Sequence, residues 1–460
     1  MKLNINKKIL VSFIGVFLVI LCSIISIVSF DKKEPIKTKK IAVTVLGVKD
    51  KKLTVQDEND IIYTFNLNDI TADIGDNLLI EYTGVLDKNS SMQANKVIRY
   101  SVVTVSNDED GIPSNYQDNG IFSNYYILAY DKLQSLSLDE KIGQLFLVRY
   151  PDSNQVADLV KYKFGGFVFF KKDFDGKDKS SVKSMISTLQ KNANIPLITA
   201  VDEEGGTVVR VSSNPLLASE KFKSSQDLYK DGGLDLIAED TIKKSKLLND
   251  LGLNLNLAPV VDVSTNTSAY MYNRSLGQDT DETSKFAKTV IEASLGGGVS
   301  YTLKHFPGYG NNPDTHTTGN VDTRTFDEIM KNDLPPFREG IKAGAEAVLV
   351  SHNTVDSIDP DNAASLSNSV HNLLRNELSF TGVIITDDLD MGAVSNIDDK
   401  AVKAILAGNN LIITTDYEKD IRDVKVAIDD GRLSEELIDR LAFKILSWKY
   451  YKGLMFEHQK

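Results

Sequence analysis

Cysteine is almost absent: Cys22 is the only one. No intrachain disulfide can form, which is neutral about compartment, since an exported protein need not carry disulfides. Positive charge is also in deficit. A net charge of -12 argues against recognition of nucleic acid through a basic face. Histidine is scarce, with five in the chain. No H-x-H follows the first apolar run of the C-terminal segment, which weighs against a metal-dependent hydrolase built on His305, His316, His352 and Asp387. There is no Gly-rich phosphate fingerprint, no convincing internal repeat and no long low-complexity tract. What is present is the composition of a folded globular protein. A chain of 460 residues is too long for one ordinary core, so two or three domains are expected.

One apolar run stands out. Lys7-Lys8 precede an uncharged stretch from Ile9 to Phe30. At ~1.5 Å per residue it can cross a hydrocarbon core of ~30 Å. A cleaved signal peptide is the rival reading, but no A-x-A-like site follows. Lipid attachment at Cys22 would need a small residue where Leu21 stands. Flanking charge does not set the orientation. The expectation is a transmembrane helix in residues 1–30, a charged juxtamembrane linker 31–40, and the bulk of the chain outside the cell membrane.

From 41 to 103 the pattern changes to short alternating strands: Ile41–Val48, Lys52–Gln56, Ile61–Asn66, Leu78–Tyr82 and Asn95–Val103. Turn signals such as Asp57-Glu58-Asn59-Asp60 separate them. A small all-β, OB-like barrel is expected, without a catalytic constellation, acting as a spacer or weak wall-binding module. Residues 104–125 are polar and turn-rich and read as a linker.

From 126 to 460 short apolar runs alternate with helical segments. The runs are Gln144–Tyr150, Gly166–Phe170, Pro196–Val201, Leu253–Val261, Val299–Leu303, Ala345–Val350, Gly382–Thr386 and Asn410–Thr414. Near-continuous apolar strands imply a parallel sheet buried on both faces. Eight such units fit an α/β fold, a TIM-like (β/α)8 barrel, better than an open doubly wound sheet.

A barrel places its active site at the C-terminal strand ends. Polar residues collect there: Asp202-Glu203-Glu204-Gly205-Gly206, Asp262, Lys304-His305, His352 and Asp387-Asp388. Asp387 is a candidate nucleophile for a glycosidic carbon. The competing reading is a helix N-cap, a task Asp388 could equally take. In Asp314-Thr315-His316 the imidazole could shuttle a proton and the carboxylate could orient it. Lys304 and His305 would lie at the floor of the site. Arg210 and Arg274 could donate to sugar hydroxyls, and Asp202 could accept a pair of bonds from them. Gly205-Gly206 would let backbone approach a ligand.

Together these motifs resemble the family 3 glycoside hydrolases, in their β-N-acetylglucosaminidase branch, over about Leu136 to Met455. Lys304-His305-Phe306-Pro307-Gly308 followed by Asp314-x-His316 is the most specific element. Asp202-x-Glu204-Gly205-Gly206, Asn273-Arg274-Ser275 and Thr386-Asp387-Asp388-Leu389-x-Met391 add support. The resemblance implies Asp387 as nucleophile and His316 with Asp314 as general acid/base. It implies Asp202, Arg210, Arg274, Lys304 and His305 as holders of a terminal N-acetylglucosamine. The reaction implied is double displacement with retention, without metal or organic cofactor, on N-acetylglucosamine-containing glycans of the cell wall. Phosphorolysis and non-catalytic glycan binding are the alternatives. Two departures stand out: Tyr309 where the family usually has His, and Thr207 where Arg is common. The sequence leaves oligomeric state open.

Overall fold

The structure, a computed structural model, describes five strands within residues 39–103, isolated positions up to 120, and then 120–310 and 320–456. The membrane helix expected at 1–30, most of the linker 31–40, and the Asp314–His316 pair lie outside the described residues. Two compact units divide between Val105 and Ser106.

The first unit is one antiparallel sheet of β1 (Lys39–Lys49), β2 (Lys52–Gln56), β3 (Ile62–Asn66), β4 (Asn77–Tyr82) and β5 (Val97–Val103). Their order is β3-β2-β1-β4-β5. Every second residue turns inward: Val43 and Val45, Leu53 and Val55, Tyr63 and Phe65, Leu78, Ile80 and Tyr82 form its core. This is the period-two pattern of a sheet with one buried face. Among the described residues no pairing joins β3 to β5.

The second unit holds β6 (Phe146–Arg149), β7 (Gly166–Phe169), β8 (Ile198–Val201), β9 (Leu255–Asn256), β10 (Ser300–Phe306), β12 (Ala347–Val350), β15 (Val383–Thr386) and β16 (Ile412–Thr414). They form one parallel sheet in the order β15-β12-β10-β9-β8-β7-β6-β16. A bridge between Ile385 and Leu411 joins its two ends and nearly closes the barrel. The strands are Val-, Ile- and Phe-rich and buried on both faces because helices cover the outside. β9 is shorter than its apolar run, because Pro259 has no N–H to give the ladder. Pairing resumes at Val260 opposite Lys304, and Val261 donates to the Lys304 carbonyl at 2.8 Å.

Sequence-local signals start several helices. Ser137 and Glu140 make a capping box before Leu138–Gln144, and Asp178, Ser224 and Asp279 each accept from the amide three residues on. A small sheet of β11 (Val321–Asp322), β13 (Thr354–Val355) and β14 (Asp359–Ala363) was not expected. β11 and β13 have two residues each and carry no period to read, and β14 is the polar run Asp359-Pro360-Asp361-Asn362-Ala363. The segment read as a linker also contributes packing. Phe122 is buried, and Tyr116 meets Phe443 edge-on at 5.2 Å.

Candidate active site

Five strand ends converge on one rim of the barrel. Asp202, Glu203 and Glu204 follow β8, and Asp262 follows the continuation of β9. Lys304 and His305 fall within the last turns of β10, His352 follows β12, and Asp387 follows β15. The Lys304–His305 peptide is cis.

A buried charge network ties the floor together. Lys304 Nζ lies 2.8 Å from Asp202 and 2.7 Å from Glu204. Arg274 clasps Glu204 with Nη2 at 2.7 Å and Nε at 3.1 Å, a bidentate pairing. Arg274 Nη2 also lies 3.3 Å from His305 Nε2. A guanidinium only donates, so Nε2 accepts and the ring proton sits on Nδ1. Nδ1–H donates to Asp262 at 2.7 Å, and the other Asp262 oxygen accepts from the Tyr309 amide at 2.7 Å. Burial works against the Glu204 charge, but Arg274 and Lys304 outweigh it and hold the carboxyl well below its ordinary range. Burial likewise opposes the Lys304 ammonium, while Asp202 and Glu204 raise its pKa on balance.

Glu203 shapes the loop after β8. It is buried and accepts the amides of Arg210 at 2.8 Å, Val211 at 2.7 Å and Ser212 at 3.2 Å. Gly205 has φ of +105°, and a Cβ there would fall 2.2 Å from the Lys223 carbonyl, so the turn admits glycine alone.

Asp387 is anchored by its own backbone. Its amide donates to the Val350 carbonyl at 3.0 Å, and its Oδ1 accepts the Asp388 amide at 2.9 Å. Burial raises its pKa, but the His352 and His305 rings, the Asp388 amide and Lys304 outweigh that and leave the carboxyl below its ordinary value. Asp388 differs. Burial, aided by the charges of Asp390 and Asp387, pushes it up to about 6. Neither residue caps a helix, since the next one begins at Lys400; Asp388 instead accepts the Asp390 amide at 3.0 Å and closes a turn. His352 Nε2 lies 2.9 Å from the Asp388 carbonyl oxygen and must donate to it, while Nδ1 pairs with the Ser365 hydroxyl at 2.7 Å. His352 thereby steadies the turn that carries Asp387.

Asp202, Arg274, Lys304 and His305 are thus brought into one connected cluster. Arg210 is not part of that network. Its guanidinium lies 5.6 Å from the Phe170 ring, and among the described residues its buried Nε has no hydrogen-bond partner. Asp314 and His316 lie outside the described residues. Tyr309 is buried, edge-on to His305 at 5.6 Å, and Thr207 is exposed. Among the described residues no three His, Cys, Asp or Glu side chains gather as a metal site. Sequence reasoning left Glu203 and Arg149 without roles. Arg149 ends β6, stacks on Phe170 at 4.1 Å and comes within 3.8 Å of Asp388. A charged residue closing an apolar run was the available signal for it.

Comparison with known proteins gives the family. Residues 137–448 match the family model described as the glycosyl hydrolase family 3 N terminal domain. A β-hexosaminidase of Xylella fastidiosa is 32% identical over 236 residues, covering 50% of this chain and 69% of that protein. A solved family 3 β-N-acetylglucosaminidase from a Paenibacillus species superposes with a TM-score of 0.65 at 28% identity, over 71% of this chain and 64% of that one. A glycosyl hydrolase of the same family from Mycobacterium smegmatis gives 0.62 at 29% identity, over 68% of this chain and 98% of its own. The chain therefore belongs to glycosyl hydrolase family 3: it is a glycoside hydrolase, and its likeness is to the β-hexosaminidases of that family.

Proposed function

We propose that this chain is a retaining exo-β-N-acetylglucosaminidase that removes terminal β-linked N-acetylglucosamine from cell-wall fragments. One observation carries the reading: Asp387 stands at the mouth of a barrel whose floor is the joined Asp202–Lys304–Glu204–Arg274–His305–Asp262 network. Asp202 and Lys304 offer an acceptor and a donor to neighbouring hydroxyls, and Arg274 and Arg210 offer further donors. Asp387 attacks the anomeric carbon as the glycosidic bond breaks, and His316, oriented by Asp314, gives its proton to the leaving oxygen. A water then yields its proton to His316, attacks the same carbon and releases Asp387, so configuration is retained.

The test uses 4-nitrophenyl β-N-acetylglucosaminide. Asp387→Ala should lower kcat by about 10³-fold or more, and proton NMR of the first product should show the β-anomer. Undiminished turnover in the variant, or an α-product, refutes the assignment. Free sugar rather than sugar 1-phosphate in phosphate buffer separates hydrolysis from phosphorolysis.

The same proposal places residues 1–30 as a single-pass anchor with the barrel outside the membrane, and residues 41–103 as an OB-like spacer. The uncharged run Ile9–Phe30 motivates it. Protease shaving of intact cells should release the barrel; a chain left uncut from residue 41 onward contradicts it.

A further inference from the structure

The geometry points to Arg149 as a binding residue for a carboxylate on the leaving-group side of the scissile bond. This rests on the glycosidase reading above. Two guanidinium groups share one ring at the rim: Arg149 lies 4.1 Å and Arg210 5.6 Å from the centroid of Phe170. Stacking holds a guanidinium by its face and leaves its N–H edge to pair with a planar anion. Among the described residues the one carboxylate near Arg149 is Asp388, 3.8 Å away, against 2.7–2.8 Å for the Lys304 and Arg274 pairs of the floor. Burial pushes the Asp388 carboxyl up to about 6, so its charge fades as pH falls below neutral. The Arg149 side chain remains 38% exposed, and among the described residues the buried Arg210 Nε has no partner.

Strand order gives the side. Around the nearly closed barrel β6 stands opposite β10, four strands away in either direction, and β15 lies between them. A sugar gripped by Lys304 and His305 on β10, with its anomeric carbon at Asp387 after β15, leaves the β6 wall to whatever is attached to it. A carboxylate there would take a bidentate, charge-assisted pair of bonds from Arg149.

The test compares kcat/KM for the disaccharide of N-acetylglucosamine β-1,4-linked to N-acetylmuramic acid with that for its methyl ester. A muramyl-dipeptide form, in which the lactyl carboxyl is amidated and the peptide supplies the carboxylates, distinguishes the two sources of the anion. The full-length protein should prefer a carboxylate-bearing form to the ester by about tenfold. Arg149→Gln should abolish that preference and Arg149→Lys should keep part of it. No preference in the parent overturns the assignment. So does an equal loss on acid and ester in Arg149→Gln, the mark of a residue acting only through Asp388 and the nucleophile's turn. Turnover of 4-nitrophenyl β-N-acetylglucosaminide is measured alongside. Activity there without the preference sinks this inference alone, whereas its absence in the parent sinks the glycosidase reading and this with it.

Discussion

Glu204 meets both Lys304 and Arg274, so it sets the position of two donors at once. Its removal should show in binding before chemistry: Glu204→Gln should raise KM about tenfold or more with a smaller fall in kcat, measured on the 4-nitrophenyl glycoside. It should show in pH as well. The folded carboxyl titrates below its ordinary value of 4.5. Its stabilisation is therefore complete above that value and is lost progressively as pH falls from it toward the lower folded pKa. Thermal melts at pH 6 and pH 3.5 should show a smaller acid-induced drop in Glu204→Gln than in the parent; an equal drop contradicts the assignment. Asp202, Lys304, His305 and Arg274 were legible because they stand in motifs beside apolar runs. Their partners were not. An acid after a strand does not say which cation will reach it across a barrel. Glu203 was illegible for a related reason: its partners are backbone amides, which any sequence supplies.

Lys449, in the C-terminal helix Glu435–Tyr451, is buried, and among the described residues its acceptors are both neutral, Gln144 Oε1 and the Gly165 carbonyl. Burial pushes its pKa down to about 7 from 10.5. Between those values the unfolded chain binds the extra proton, so folding stability rises with pH across the window. Lys449→Met should flatten that slope. Urea midpoints at pH 7.5 and pH 10 check it, and an unchanged slope in the variant contradicts it. All eight barrel strands were legible as elements, since a strand buried on both faces is an unbroken apolar run. Their ends were less so. Leu253–Val261 became a strand of two residues because Pro259 interrupts the ladder. β11, β13 and β14 were missed because they are held by tertiary pairing, as in the Thr354 amide donating to the Asn320 carbonyl at 2.8 Å. The segment 104–125 looked like a linker from its polar residues, yet it carries Phe122 and Tyr116 into the barrel core.

Every candidate catalytic and sugar-holding residue lies in the unit Ser106–Lys460. A chain of residues 106–460 should therefore keep kcat/KM on the 4-nitrophenyl glycoside within about twofold of the full chain. Starting instead at 126 removes Phe122 and the Tyr116–Phe443 contact. That shorter chain should melt several degrees lower, since burying one large aromatic contributes about 3 kcal/mol or more. Equal melting temperatures contradict the role given to the segment. The α/β barrel itself was visible in the sequence as alternating runs and helices. Its near closure rests on Ile385 meeting Leu411, a contact between the first and last strands of the sheet that no local pattern announces.

The most direct test of the whole account is to trap the glycosyl-enzyme. Incubation with a 5-fluoro N-acetylglucosaminyl fluoride, which forms the covalent species faster than water removes it, is followed by proteolysis and mass spectrometry. The account predicts one sugar per chain, on the peptide that carries Asp387. A label on any other residue, or a chain that turns the reagent over with the Asp387 peptide unmodified, would contradict it.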